Sequence, residues 1–299
     1  MRALLTGASG LIGSALRMSL EQDGIETVVL VRRAPHSDAE HHWDPVAGEL
    51  APSAVEGFDA VIHLAGAGIG DRRWSASRKK EILDSRVQGT SLLAQRLASA
   101  VEKPDVFISA SAIGYYGDRK EPVTELDGPA DPLDFLSDVC LAWEDATGAP
   151  TAAGIRTVHL RTGIVLSKHG GALAKLLLPF RLGVGGKIGS GGTWWSWISL
   201  EDQVRAIRYL IHEPISGAVN LTAPNPVTNA VVTKTLGRVL RRPALLPVPR
   251  PMLNLVLGGE LATALLFTSA RVLPDLLVRS GFEFEHPDIE TALRAVLAD

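Results

Sequence analysis

The chain has 299 residues, 46% hydrophobic and 21% charged, a balance that excludes a disordered protein and allows a sizeable core. Thirty basic and 33 acidic residues give a formal net charge of -3 with no long run of either sign, so neither a nucleic-acid nor an acidic-membrane footprint is expected. Cys140 is the only cysteine and the eight histidines are scattered. No internal disulfide forms from one cysteine, no metal site is expected, and a reducing, cytoplasmic setting fits.

The N-terminus, from Met1 to Gly7, has too short an apolar run for a signal peptide, so no targeting segment is expected. Ala3–Leu5, Thr27–Val31, Ala60–Leu64, Val106–Ser109 and Thr157–Leu160 read as short buried strands. Between them, Leu11–Asp23, Ser75–Val101 and Leu133–Gly148 carry apolar residues at three- and four-residue spacing, as amphipathic helices do. Repeated βαβ order predicts a doubly wound parallel α/β sheet of the Rossmann kind, over residues 1–166.

From about Ser167 the sequence turns glycine- and tryptophan-rich, then gives helices interrupted by prolines. A smaller C-terminal lobe is expected over residues 167–299, with the strand at 218–222 returning to the main sheet. The apolar stretch Leu253 to Phe267 is broken by Glu260 and falls short of the roughly 20 apolar residues that cross a bilayer. No membrane span is expected.

Gly7, Gly10 and Gly13 form a G-x-x-G-x-x-G turn directly after the first strand and before the first helix. Glycine permits positive φ and removes the Cβ that would hold the backbone away from a pyrophosphate, while a helix start offers free N–H groups and a positive dipole end. Thr6 and Ser9 add hydroxyls, and Leu11 and Ile12 pack the helix onto the sheet. Dinucleotide binding is the expectation. The second strand ends in Arg32-Arg33 with no acid before Asp38, which favours a 2′-phosphate over a ribose hydroxyl and so NADP(H) over NAD.

Thr6–Gly13, His63-Leu-Ala-Gly66, Ser109-Ala-Ser111 with Tyr115-Tyr116-Gly117, and Arg161-Thr-Gly163 together resemble the extended short-chain dehydrogenases, which include sugar-nucleotide epimerases and dehydratases. Leu178 to Gly183, Ser196-Trp-Ile198, Asn220 to Asn229 and Gly281-Phe-Glu-Phe284 are similar to the atypical subgroup labelled epimerase-family, which has an uncharacterised C-terminal domain. The resemblance implies that Arg32 meets the adenosine phosphate and that Leu64, Ala65 and Gly66 line the adenine–ribose edge. It also implies that Glu81 and Arg86 face the cofactor, although two such residues five apart equally describe a solvated helix face. Arg86 stands where extended members usually carry asparagine.

Ordinary members of the resembled family use a tyrosine with a lysine four residues later to move a proton beside the nicotinamide. Aligned on Glu144, the corresponding helix carries Leu136 and Cys140 at those positions. The spacing recurs in Tyr116 and Lys120, but Gly117, Asp118 and Pro122 make that stretch a loop. Ser109 and Ser111 either orient a substrate oxygen or cap a turn, Ser109 is also expected to touch the cofactor, and Tyr115 or Tyr116 is expected to reach over the nicotinamide. Cys140 reads as core. The Trp194, Trp195 and Trp197 cluster reads either as a substrate wall or as an anchor of the small lobe, and Asp202 as an N-terminal helix residue. Two functions follow: an NADP-dependent oxidoreductase or epimerase acting on a small carbonyl or hydroxyl compound, or a non-catalytic NADPH-binding sensor. Oligomeric state is left open.

Overall fold

Strand alternation decides the layering. In the computed structural model, which describes residues 1–298, Ala3 and Leu5 of the first strand face one core and Leu4 the other, as the two-residue period of a strand requires. In chain order the first half contains β1 (Arg2–Thr6), α1 (Leu11–Gln22), β2 (Glu26–Val31), β3 (Glu40–Asp44), β4 (Glu49–Leu50), β5 (Ala60–His63), α2 (Ala76–Ser99) and β6 (Val106–Ala112). It continues through β7 (Pro122–Val123), α3 (Phe135–Asp145), α4 (Gly148–Ala152), β8 (Arg156–Thr162) and β9 (Ile164–Leu166).

The second half holds α5 (Gly171–Arg181), β10 (Trp194–Trp195), β11 (Trp197–Ser199), α6 (Leu200–His212), β12 (Gly217–Leu221), β13 (Val227–Thr228) and α7 (Asn229–Leu240). It ends with α8 (Arg250–Leu257), α9 (Gly259–Ala262), a π-turn at Thr263–Phe267, β14 (Arg271–Val272), α10 (Asp275–Ser280) and α11 (Ile289–Leu297). Among the described residues no helix is long and apolar enough to cross a membrane.

The main sheet has the order β12-β8-β6-β5-β1-β2-β3-β4, parallel except at the β3–β4 edge. That antiparallel edge pair was not expected: Glu-His-His-Trp-Asp shows only Trp43 to the core, as an edge strand can. Leu16 and Leu20 of α1 and Ile207 and Leu210 of α6 cover one face, and Leu93 and Leu97 of α2 cover the other. Each fully buried leucine contributes about 1.5–3 kcal/mol through water exclusion.

The strand expected near 218–222 does return to the sheet, pairing with β8 from Gly217↔Val158 to Leu221↔Thr162. A third core, built on α5, α7 and α11 around Trp195 and Trp197, forms the small lobe. The division at residue 166 follows these cores only in part, because α6, β12 and α10 lie in sequence beyond it yet pack into the core of the main sheet. Buried Asp202 ties the return together, accepting from the N–H groups of Glu285 (2.8 Å) and His286 (2.9 Å). Ser199 is the residue that caps α6, accepting the Asp202 N–H.

Candidate functional site

The chain leaves β1 for β2 on one side and returns to β5 on the other, so the ends of β1 and β5 flank the switch point where open α/β sheets hold ligands. The glycine turn lies there. Gly7 has φ +70, and a Cβ on it would stand 2.7 Å from the Leu64 carbonyl carbon. A Cβ on Gly13 would collide with the Gly7 carbonyl oxygen. Both glycines therefore let chain segments close on one another, whereas Gly10 faces mostly open space.

Gly10 is also the N-cap of α1 and supplies no side-chain cap, so the helix start presents uncapped N–H groups beside exposed Ser9. Leu11 packs against Gly170 and Ile12 against the main core, which aims the helix end at the crevice. These residues fit a pyrophosphate. Thr6 does not fit as a cofactor donor: it is buried, and its hydroxyl takes the N–H groups of Leu64 (3.1 Å) and Ala65 (3.2 Å) and meets His63 Nδ1 at 2.7 Å. Its expected role is corrected to clamping the Leu64–Gly66 segment against β1.

Arg32 and Arg33 follow β2 on the exposed surface, and the structure separates them. Arg33 forms a forked pair with Glu40 at 2.5 and 2.7 Å. The guanidinium, with the His36 N–H, holds the Glu40 carboxyl down to about 2. Arg33 is thus not the free cation expected. Glu40 lies seven residues on from Arg33, and the β2–β3 pairing, Val29↔Glu40, brings it under that guanidinium. Arg32 makes no ion pair among the described residues.

Glu81 and Arg86 diverge as well. Glu81 is exposed and bound to Arg78 at 2.7 Å, which lowers its pKa. Arg86 is buried, so the solvated-face alternative does not hold for it. Its Nη1 donates to the carbonyls of Ala67 (3.0 Å) and Ile82 (3.1 Å), its guanidinium lies 4.8 Å from the Trp143 ring centroid, and its Nε has no partner among the described residues. Burial without a carboxylate brings Arg86 down to about 10. Arg86 lies directly against Gly66, where a Cβ would come within 3.4 Å of its guanidinium carbon.

The other end of the crevice is built at the tips of β6 and β8. Ser109 and Ser111 are both buried. Ser111 donates to Glu144 Oε1 at 2.7 Å, and Arg161 closes a two-bond fork on the same carboxylate at 2.9 Å each. Arg161 also donates to the Tyr116 hydroxyl (3.0 Å), which donates to Asn220 Oδ1 (2.8 Å).

Tyr116 is 0% exposed, and burial pushes its phenol up to about 12. It does not reach over a cofactor, and that expectation is corrected: its partner Asn220 lies 104 residues on, beyond local spacing. Lys120 is exposed on the following loop, well apart from a helical relay. Tyr115 is half-buried, with the Arg161 guanidinium 3.4 Å over its ring. On α3, Leu136 and Cys140 both face Gly114, and burial with the neighbouring Glu144 charge pushes the Cys140 thiol up to about 12. The core reading of Cys140 stands. Trp195 and Trp197 anchor the small lobe, while Trp194 is only half-buried, 4.9 Å from Arg271.

Glu144, Arg161, His63 and Asn220 are the residues that spacing alone did not single out for a role. Each acts through a partner well along the chain, and the signal for them was their place in the motifs that carry the family resemblance, with Glu144 as the anchor of the α3 alignment, not any spacing that pairs them.

A parallel sheet with a glycine turn at its switch point and an unpaired arginine after the second strand defines a nucleotide-fold protein of the short-chain dehydrogenase type. The chain belongs to the NAD dependent epimerase/dehydratase family, whose profile matches residues 3–222. Residues 248–296 match a domain of unknown function, DUF1731. The epimerase family protein Mb2239 of Mycobacterium bovis is 42% identical over 290 residues, covering 97% of this chain and 95% of that protein.

The human epimerase family protein SDR39U1 is 35% identical over the whole of both chains. Its crystal structure with NADPH superposes with a TM-score of 0.91 at 33% identity, covering 99% of each chain. A nucleoside-diphosphate sugar epimerase from Corynebacterium glutamicum gives a TM-score of 0.81 at 36% identity, over 99% of this chain and 58% of that one.

Proposed function

We propose that this chain binds NADP(H) and acts as an oxidoreductase or epimerase on a small carbonyl or hydroxyl compound, without the usual Tyr-x-x-x-Lys pair. The observation that carries the reading is the uncapped start of α1 behind Gly7, Gly10 and Gly13, with Arg32 as the uncommitted cation after β2. The NADPH in the SDR39U1 structure supports the choice of cofactor. When bound, the dinucleotide supplies hydride-transfer capacity at its nicotinamide.

The chain's own groups then do the rest. Ser111 has its proton committed to Glu144, so its lone pairs are left to accept from a substrate hydroxyl. Tyr115, half-buried under Arg161, is the phenol on this side that is not committed to Asn220, and Gly66 with Arg86 backs the adenine-side wall. A second reading, a cytoplasmic NADPH-binding sensor without turnover, is favoured by one observation: Leu136 and Cys140 pack on Gly114 where a proton relay would stand.

Calorimetric titration with NADPH and NADH, repeated on Arg32→Ala, tests the cofactor. Preference for NADPH that disappears in the variant supports the proposal, and equal or absent binding of both refutes it. A carbonyl and alcohol screen that follows loss or gain of reduced nicotinamide then separates enzyme from sensor.

A further inference from the structure

Two stretches of the second half, Lys168–Leu200 and Pro214–Gly259, contain no aspartate or glutamate at all, yet hold four and five lysines and arginines respectively, in a chain of net charge -3. They are dispersed in sequence, which is why no basic run is visible. The fold gathers part of them. Lys187, Lys234, Arg241 and Arg242 surround a cavity of about 460 Å³ between α7 and the 242–245 segment, floored by Ala230, Gly237 and Ala244. Among the described residues these four cations make no ion pair, and only Arg238 beside them has one, with Glu290 at 2.6 Å. Like charges gathered without counter-charges repel one another, so an anionic partner relieves them.

Exposed aliphatic side chains stand on the segments beside the cavity. Leu245, which lines it, is 84% exposed and its neighbour Leu246 58%, and on either side of Gly183 stand Leu182, 68% exposed, and exposed Val184. Close approach of Gly183 to Pro243 and of Gly186 to the Leu246 carbonyl joins the two segments into one surface. Large aliphatic side chains standing clear of the surface among unpaired cations suit an interface that is anionic at its boundary and apolar just beneath. A phosphodiester backbone offers nothing to these leucines, and no aromatic ring lines the cavity to stack a base.

We propose that this face of the small lobe docks on an anionic lipid bilayer, with Lys187, Lys234, Arg241 and Arg242 receiving headgroup phosphates and Leu182, Leu245 and Leu246 entering the interface. The attachment is peripheral and independent of the proposed function, and it replaces the sequence-based expectation of no membrane partner.

Co-sedimentation of the full chain with phosphatidylcholine vesicles, with and without phosphatidylglycerol, provides the test. Retention is expected on the anionic vesicles alone and weakens with salt. Arg241→Asn with Arg242→Gln lowers it about 30-fold at roughly fivefold per charge, asparagine tolerating the left-handed backbone of residue 241. Leu245→Ser, at an exposed position, lowers it independently while leaving the thermal midpoint unchanged. Equal retention on neutral vesicles, or none on either, overturns the proposal. So does release of the protein by millimolar inorganic phosphate, which marks a small-anion site, or tighter binding of a single-stranded oligonucleotide that survives Leu245→Ser.

Discussion

Thr6 donates its hydroxyl proton to Nδ1 of His63 across 2.7 Å. Its two lone pairs are taken by the N–H groups of Leu64 and Ala65, so the proton has no other place to go. His63 is thereby assigned as the neutral tautomer with hydrogen on Nε2, which donates to Thr90 Oγ1 at 3.0 Å. Strands β1 and β5 are locked together at the crevice by a buried chain of neutral groups.

Burial lowers His63 from 6.5 to about 4, so the unfolded chain binds the proton more readily than the folded one. Between those values stability rises with pH, and acidification removes about 3 kcal/mol. Urea melts at pH 4 and pH 7 should show this slope, and His63→Asn should flatten it. Thr6→Val leaves His63 Nδ1 and the Ala65 N–H unpaired, while the Leu64 N–H keeps the carbonyl of residue 6 (3.3 Å), with an expected loss of about 2–4 kcal/mol, whereas Thr6→Ser retains most of the stability.

Arg32 and Arg33 are neighbours with different fates, and their variants should differ accordingly. Arg32→Ala is expected to weaken NADPH about 10- to 100-fold and leave NADH unchanged, as befits a lost charge-assisted contact to phosphate. Arg33→Ala, which frees Glu40 and the Ala34 carbonyl, should change NADPH affinity less than about threefold. Calorimetry reads both, and reversed magnitudes would exchange the roles of the two residues.

Glu144 and Arg161 form a buried fork whose halves depend on each other. Glu144→Ala strands the Arg161 charge and should destabilise by about 3–5 kcal/mol, while the double variant Glu144→Ala with Arg161→Ala loses less than the sum of the singles. A double-mutant cycle in urea measures the coupling. Additive losses would show that the two side chains act separately.

Cys140, with its thiol up at about 12, holds almost no thiolate at pH 8. Iodoacetamide should therefore leave the native protein unmodified for hours, as mass spectrometry reads it, and label it fully in denaturant. Rapid native labelling would mark an exposed nucleophile instead of a core residue.

The parallel core was legible because β1, β2, β5, β6 and β8 are covered on both faces and so read as short aliphatic runs bounded by turns. The glycine turn was legible from its place between β1 and α1. Less legible was what each glycine does, since Gly7 and Gly13 answer to Leu64 and to each other, a closeness that only the folded chain creates. The same holds for Tyr116, whose partner Asn220 arrives on β12, and for Arg33, whose partner sits on an edge strand too polar to announce itself. Arg86 ran against the sequence prior that arginines stay solvated, because Trp143 and two carbonyls receive it inside.

The pairing of β12 with β8 also bears on how the molecule is made. Until Gly217–Leu221 has been synthesised, β8 presents a long bare edge, Arg156–Thr162, to whatever strand it meets. A nascent chain paused after the nucleotide-binding half is therefore adhesive, and the ribosome must deliver the chain as far as Leu221 before the sheet closes. Shortened forms ending near residue 166 should accumulate as aggregates, whatever the merits of their glycine turn.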